Sequence, residues 1–169
     1  MSGLSTMAQM AFAPRAFFLL CGIIGLTGVW SLPVHEEEDG CCPKGWTQLD
    51  KRCFIYKEEA RSFLDAESIC NLLGGNLVSI LSSLENVVVL EVIKLTADPV
   101  PDTWIGLHQA LETENFLWTD GSEFGFDNFA QTLSAGDCAE IESDDELWDL
   151  DDCTDENPYV CARDIKCPH

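Results

Sequence analysis

The contrast between apolar and polar positions is sharpest in the middle of the chain. Thr103-Trp104-Ile105-Gly106-Leu107 is a short apolar run with a glycine inside it, preceded by the turn-prone stretch Asp98-Pro99-Val100-Pro101-Asp102. Such a run predicts a fully buried strand, with the glycine where another backbone or a large ring comes close. Asn115 to Thr119 predicts a second strand, ended by the tight-turn pair Asp120-Gly121. Upstream, Ser62 can cap a helix over Phe63 to Leu73, stopped by Gly74-Gly75. Phe63, Ala66, Ile69, Cys70 and Leu73 share one face of it at helical spacing, and that face reads as core. Ser82-Ser83-Leu84-Glu85 has capping-box spacing and opens a second helix to about Leu95, with Val88, Leu90, Val92 and Ile93 among its apolar residues. Further strands are predicted at Cys53 to Tyr56, Asn76 to Ile80, Cys138 to Ile141, Glu146 to Asp149 and Pro158 to Ala162. From Glu123 to Asp137 the pattern is irregular, and no internal repeat is present.

At 169 residues the chain fits one domain with a real core. Arg15 precedes an apolar run from Ala16 to Trp30, which reads as a secretory leader over residues 1–31, cleaved after Ser31. A retained anchor helix is the competing reading, since residues to Val34 extend the run toward bilayer-spanning length. The single flanking basic residue and the short distance to Cys41 favour cleavage, so no stable membrane anchor is expected. Residues 32–40 form an acidic linker, 41–164 the folded domain and 165–169 a short tail. Apart from Cys21 in the leader, eight cysteines remain; secretion into an oxidising compartment makes them four disulfides.

All thirty acidic residues lie beyond position 35, against eight basic ones once Arg15 leaves with the leader, a net charge of −22. Nucleic acid is excluded as a partner because nothing could neutralise phosphates, and an anionic membrane surface is disfavoured for the same reason. Cations, basic proteins and neutral ligands remain.

Several stretches together resemble the C-type lectin-like domain. They are Cys42-Pro43-Lys44-Gly45-Trp46, Cys70 followed by Gly74-Gly75-Asn76-Leu77-Val78-Ser79-Ile80, Trp104-Ile105-Gly106-Leu107, Trp118-Thr119-Asp120-Gly121, and the closing order Cys138, Cys153, Cys161. The match covers about Cys42 to Asp164 and looks nearest to the small secreted lectins of fish, a group that includes type II antifreeze proteins. The resemblance implies an α+β fold, two helices flanking two small, mostly antiparallel sheets with a long irregular loop region. It also implies disulfides Cys42–Cys53, Cys70–Cys161 and Cys138–Cys153. Because the family fold brings its termini together, Cys41 is assigned to Cys167, with an intermolecular bridge through Cys41 as the alternative.

Family members that bind sugar do so through calcium, held by Glu-Pro-Asn or Gln-Pro-Asp in the long loop, a Glu before the third core cysteine and an Asn-Asp pair after a strand tryptophan. Calcium needs six to eight oxygens, and vicinal sugar hydroxyls can supply two. This chain departs at each element. Gln131-Thr132-Leu133-Ser134-Ala135-Gly136 is a shortened loop without proline, Gly136 stands in place of the Glu, and Asp149-Leu150 stands in place of Asn-Asp. The conventional sugar-binding calcium site is therefore expected to be absent. What remains is acid: eleven carboxylates and no Lys or Arg between Asp137 and Glu156. Two readings stand, a solvated face or a displaced calcium site and patch for a basic partner. For calcium the candidate ligands are Asp137, Asp144, Asp145, Asp149, Asp151 and Asp152.

Catalysis has no support. His35, His108 and His169 are scattered, with His108 reading as a loop residue, and Trp46, Trp104, Trp118 and Trp148 read as core. Three functions compete: a secreted recognition protein for a glycan or glycoprotein, acting in innate defence or surface recognition; a protein- or mineral-surface-binding module using the acidic face; and an ice-binding protein. The last needs a flat, fairly apolar face, whereas the region concerned is the most acidic in the chain.

Overall fold

The computed structural model describes residues 41–110, 115–165 and 167; the leader and acidic linker read from the sequence lie outside the described residues. In chain order the elements are β1 (Thr47–Leu49), β2 (Arg52–Arg61), α1 (Phe63–Leu72), β3 (Asn76–Leu77), α2 (Ser83–Lys94), β4 (Thr103–Gln109), β5 (Phe116–Trp118), β6 (Cys138–Ile141), β7 (Trp148–Asp151) and β8 (Asn157–Asp164). The strands run β1-β2-β8-β4-β6-β7, with β3 added to β8 and β5 to β4. Two antiparallel halves meet at a parallel pairing of β4 with β8, Trp104 opposite Tyr159, which makes the hydrogen bonding continuous between them. This is the α+β architecture expected.

Both helix starts follow their local chemistry. Ser62 Oγ accepts from the Asp65 amide and Ser82 Oγ from the Glu85 amide. Glu85 completes the second start by accepting from the Leu81 amide, one residue earlier than a capping box requires, while it also pairs with Arg52 at 2.8 Å. Phe63, Ala66 and Cys70 of α1 are buried, with Ile69 and Leu73 half-buried beside them. On α2 the buried set is Asn86, Val89, Val92 and Ile93, with Val88 and Leu90 half-buried.

β4 lies at the centre. Gly106 is there because a Cβ would lie 2.6 Å from the Leu77 carbonyl oxygen. The Gly106 amide donates to Val78 O at 2.8 Å, so the close approach is itself a hydrogen bond. Four expectations shift. β2 is ten residues long rather than four, because its partner β8 is long enough to pair from Arg52↔Asp164 to Arg61↔Asn157. The strand expected to reach Ile80 pairs only at Asn76 and Leu77; Val78 to Ile80 continue as buried core. β7 begins at Trp148, because Glu142 to Leu147 close a turn in which Glu146 has a positive φ of 62°. His108 is a strand residue, paired with Leu117 on one side and Cys138 on the other.

Disulfides join Cys41–Cys167, Cys42–Cys53, Cys70–Cys161 and Cys138–Cys153. The second closes a loop of order ten residues, worth about 3 kcal/mol of unfolded-chain entropy, and the third a loop spanning 91 residues, worth about 4–5 kcal/mol. Trp104 and Trp148 are fully buried, donating to Arg61 O and Asn86 Oδ1. Trp46, read as core, is only half-buried and lies under the Arg163 guanidinium.

Candidate functional site

The long loop after β5 is held by aromatic packing that the sequence pattern did not announce. Phe129 lies 4.9 Å from Phe116 and stands edge-on to Trp148 at 5.7 Å. Phe126 also meets Trp148 edge-on, and Phe124 packs on Phe116 at 5.6 Å. The backbone joins in: Trp148 N donates to Asn128 O, and Ala130 N to Trp148 O. The available signal was the spacing of Phe124, Phe126 and Phe129, near-alternating inside a stretch otherwise poor in apolar side chains.

At two positions where the sugar-binding pattern asks for a calcium ligand, packing explains the residue present. A Cβ on Gly136 would lie 2.3 Å from the Asp151 carbonyl oxygen, so the position cannot carry a glutamate without moving β7. Leu150 is 7 % exposed and belongs to the main core, paired across from Ala139.

The six candidate ligands are spread among separate tasks. Asp149 is buried and accepts from the Ser134 amide at 2.7 Å, tying the short loop to β7. Burial pushes its pKa up, but the bonds from Ser134 and the Leu150 amide outweigh this and hold the carboxyl below its usual range. Asp145 accepts from the Leu147 amide, Asp151 from the Asp152 amide, and Asp152 from Thr154 through both amide and hydroxyl. The Thr154 bonds hold Asp152 low as well. Asp137 and Asp144 are exposed. Among the described residues no three His, Cys, Asp or Glu side chains converge as a metal site would require. The donor set as folded does not fit calcium, which needs several oxygens aimed at one point.

The residue of the lobe that sequence reasoning passed over is Glu140. It is 7 % exposed and accepts from Asn157 Nδ2 at 2.6 Å. Burial first, then the nearby charges of Asp102, Asp151, Asp149 and Glu142, pushes its carboxyl up to about 8. Glu142 is raised by the same two effects. The lobe is thus a negative surface over a carboxyl kept protonated near neutrality. Lys94 reaches it from α2, pairing with Glu146 at 2.8 Å.

The family described as Lectin C-type domain matches residues 59–163, well over half the chain. The chain belongs to the C-type lectin domain family. Ladderlectin of Oncorhynchus mykiss is 38 % identical over 106 residues, covering 63 % of this chain and 56 % of that protein. The chain therefore aligns with little more than half of ladderlectin's length. The galactose-specific lectin nattectin of Thalassophryne nattereri is 30 % identical over 165 residues, 94 % of this chain and 100 % of nattectin. Among solved structures, a calcium-independent type II antifreeze protein superposes with a TM-score of 0.67 at 26 % identity, covering 74 % of this chain and 95 % of that one.

Proposed function

We propose that this C-type lectin is a secreted recognition protein that binds glycans or glycoproteins without a calcium bridge, in innate defence or surface recognition. The observation that carries this reading is Gly136 against the Asp151 carbonyl: the lobe is closed sterically where a calcium-binding glutamate would have to stand. Nattectin's galactose specificity supports a glycan ligand, and the loop's aromatic anchoring supports a lobe that keeps its shape without an ion. The test is a glycan array probed with and without EDTA. Binding that survives EDTA is expected; retention on mannose or galactose resin that EDTA releases would overturn the proposal.

A second reading has its own observation. The run from Asp137 to Glu156 carries eleven carboxylates and no basic residue, a surface suited to a basic protein or a mineral face. Silence on the glycan array together with salt-sensitive capture of a basic protein would favour it. Thermal hysteresis measurement tests the ice-binding alternative; none is expected from so charged a lobe.

A further inference from the structure

β8 runs further than its neighbour β3. Asn76 opposite Ala162 is the outermost pair between them, while β8 stays paired with β2 out to Arg52 opposite Asp164. β3 can start no earlier, because Gly74-Gly75 has just ended α1, with Gly74 at a φ of 85°. Beyond Ala162 the β3 side of β8 therefore opens into a cleft of about 380 Å³, closed on its far side by Asp120 and Ser122 of the turn after β5. Consecutive strand residues point to opposite faces, so Arg163 and Asp164 reach the cleft from the two sides of the same strand edge. The acidic run Asp137 to Glu156 lines none of it.

The lining says what kind of molecule fits. It is mostly polar and carries two guanidinium groups, Arg52 and Arg163, against two carboxylates, Asp120 and Asp164. A cleft of one sign would select the opposite ion; in this acidic chain these four charges cancel, and neither a cation nor an anion is favoured. Two of the four are held in place. Arg52 donates to Ser79 O, to Ser79 Oγ and to Glu85, and Asp120 accepts from the Ser79 hydroxyl and the Ser122 amide. Three groups keep unused capacity on the open side. The Asp164 carboxylate is exposed. Ser122 Oγ and Arg163 Nη2 have no hydrogen-bond partner among the described residues and are not closed off, whereas Arg163 Nε is. One acceptor, one donor and one hydroxyl that does both are thus offered together, beside the exposed apolar side chain of Leu81.

We propose that this cleft, and not the acidic lobe, holds a neutral saccharide. Ring hydroxyls both donate and accept, so they can accept from Arg163 Nη2, donate to Asp164 and bond with Ser122 Oγ, while a C–H face of the ring lies on Leu81. No ion is required, because the protein supplies donors and acceptors directly. The assignment rests on the calcium-independent glycan reading and gives that reading its site.

The test compares the parent, Asp164→Ala and Ser122→Ala, all disulfide-bonded, on a glycan array in EDTA. The array carries glycans ending in a neutral hexose, in a uronic acid and in an unacetylated amino sugar. The parent is expected to bind the neutral-ended glycans best. Asp164→Ala is expected to weaken that binding about tenfold and Ser122→Ala about fivefold, since the first removes a charged acceptor and the second a neutral one. Both variants are expected to melt with the parent, because neither side-chain group has an internal partner among the described residues. Binding by the parent in EDTA that both variants retain in full overturns this site and leaves the glycan reading standing. A parent that binds nothing in EDTA overturns both. A tenfold preference for the uronic acid or the amino sugar overturns the neutral ligand. Weakened binding with a lower melting temperature in both variants also overturns the site, because the two side chains then hold the fold and not the sugar.

Discussion

Glu140 is the residue at which chemistry and fold pull hardest against each other. In the unfolded chain it titrates near 4.5 and in the fold at about 8. Between those values the folded protein holds a proton that the unfolded chain has released. This contribution to stability is therefore full below about 4.5, declines as pH rises, and is gone above about 8. Glu140→Gln keeps the shape and an acceptor for Asn157 but cannot ionise. Its melting temperature is expected to match the parent at pH 4 and exceed it at pH 8.5; a constant difference across that range would remove burial of Glu140 as the cause. Asp149 works in the opposite sense. Its carboxyl is held low, so its contribution is present above its ordinary value of 3.8 and is lost as pH falls through the folded value. At Gly106 the constraint is steric: Gly106→Ala is expected to cost about 1–3 kcal/mol in urea unfolding, because the new methyl meets the Leu77 carbonyl and neither backbone can yield.

Among the elements, the loop between β5 and β6 departs furthest from its sequence appearance. It has almost no regular structure, yet Phe124, Phe126 and Phe129 seat it on Phe116 and Trp148. Phe129→Ala is expected to destabilise by about 2 kcal/mol, less than a fully buried phenylalanine because Phe129 is half-buried. It is also expected to make the loop susceptible to proteolysis in EDTA, where the parent resists. If the parent is cleaved there in EDTA and protected by calcium, an ion and not the aromatic cluster holds the loop. The helices were legible because their signals are local: Ser62 and Ser82 cap through bonds within three residues of themselves. Strand lengths were not. β2 extends to Arg61 only because β8 lies beside it, and β7 slides to Trp148 because a turn takes up Glu146 and Leu147.

For the whole molecule, charge is the dominant expectation. Eleven carboxylates sit in a lobe tied by Cys138–Cys153, and they cannot spread to relieve their repulsion. The Debye length falls from about 30 Å at 0.01 M salt to about 8 Å at physiological strength, so sodium chloride is expected to raise the melting temperature over that range. At fixed ionic strength calcium and magnesium are expected to act alike, since the acidic side chains do not converge among the described residues. A rise with calcium alone, abolished by Asp149→Asn and Asp151→Asn, would show that the lobe rearranges around the ion.

The sequence by itself determined the family, both helices and the buried central strand, because each rests on residue order or on interactions a few positions long. Tertiary structure alone decided what surrounds the positions at which calcium ligands were sought. Gly136 faces the Asp151 carbonyl, Leu150 is spent on the core, and Asp145, Asp151 and Asp152 accept from backbone amides one or two residues on. It also decided which acids are buried, Glu140 and Asp149, and which buried side chains among the described residues have an atom without a partner, those of His108, Trp118, Thr119 and Arg163. Burial and close approach depend on what the far parts of the chain place nearby, and a run of letters does not contain that distance.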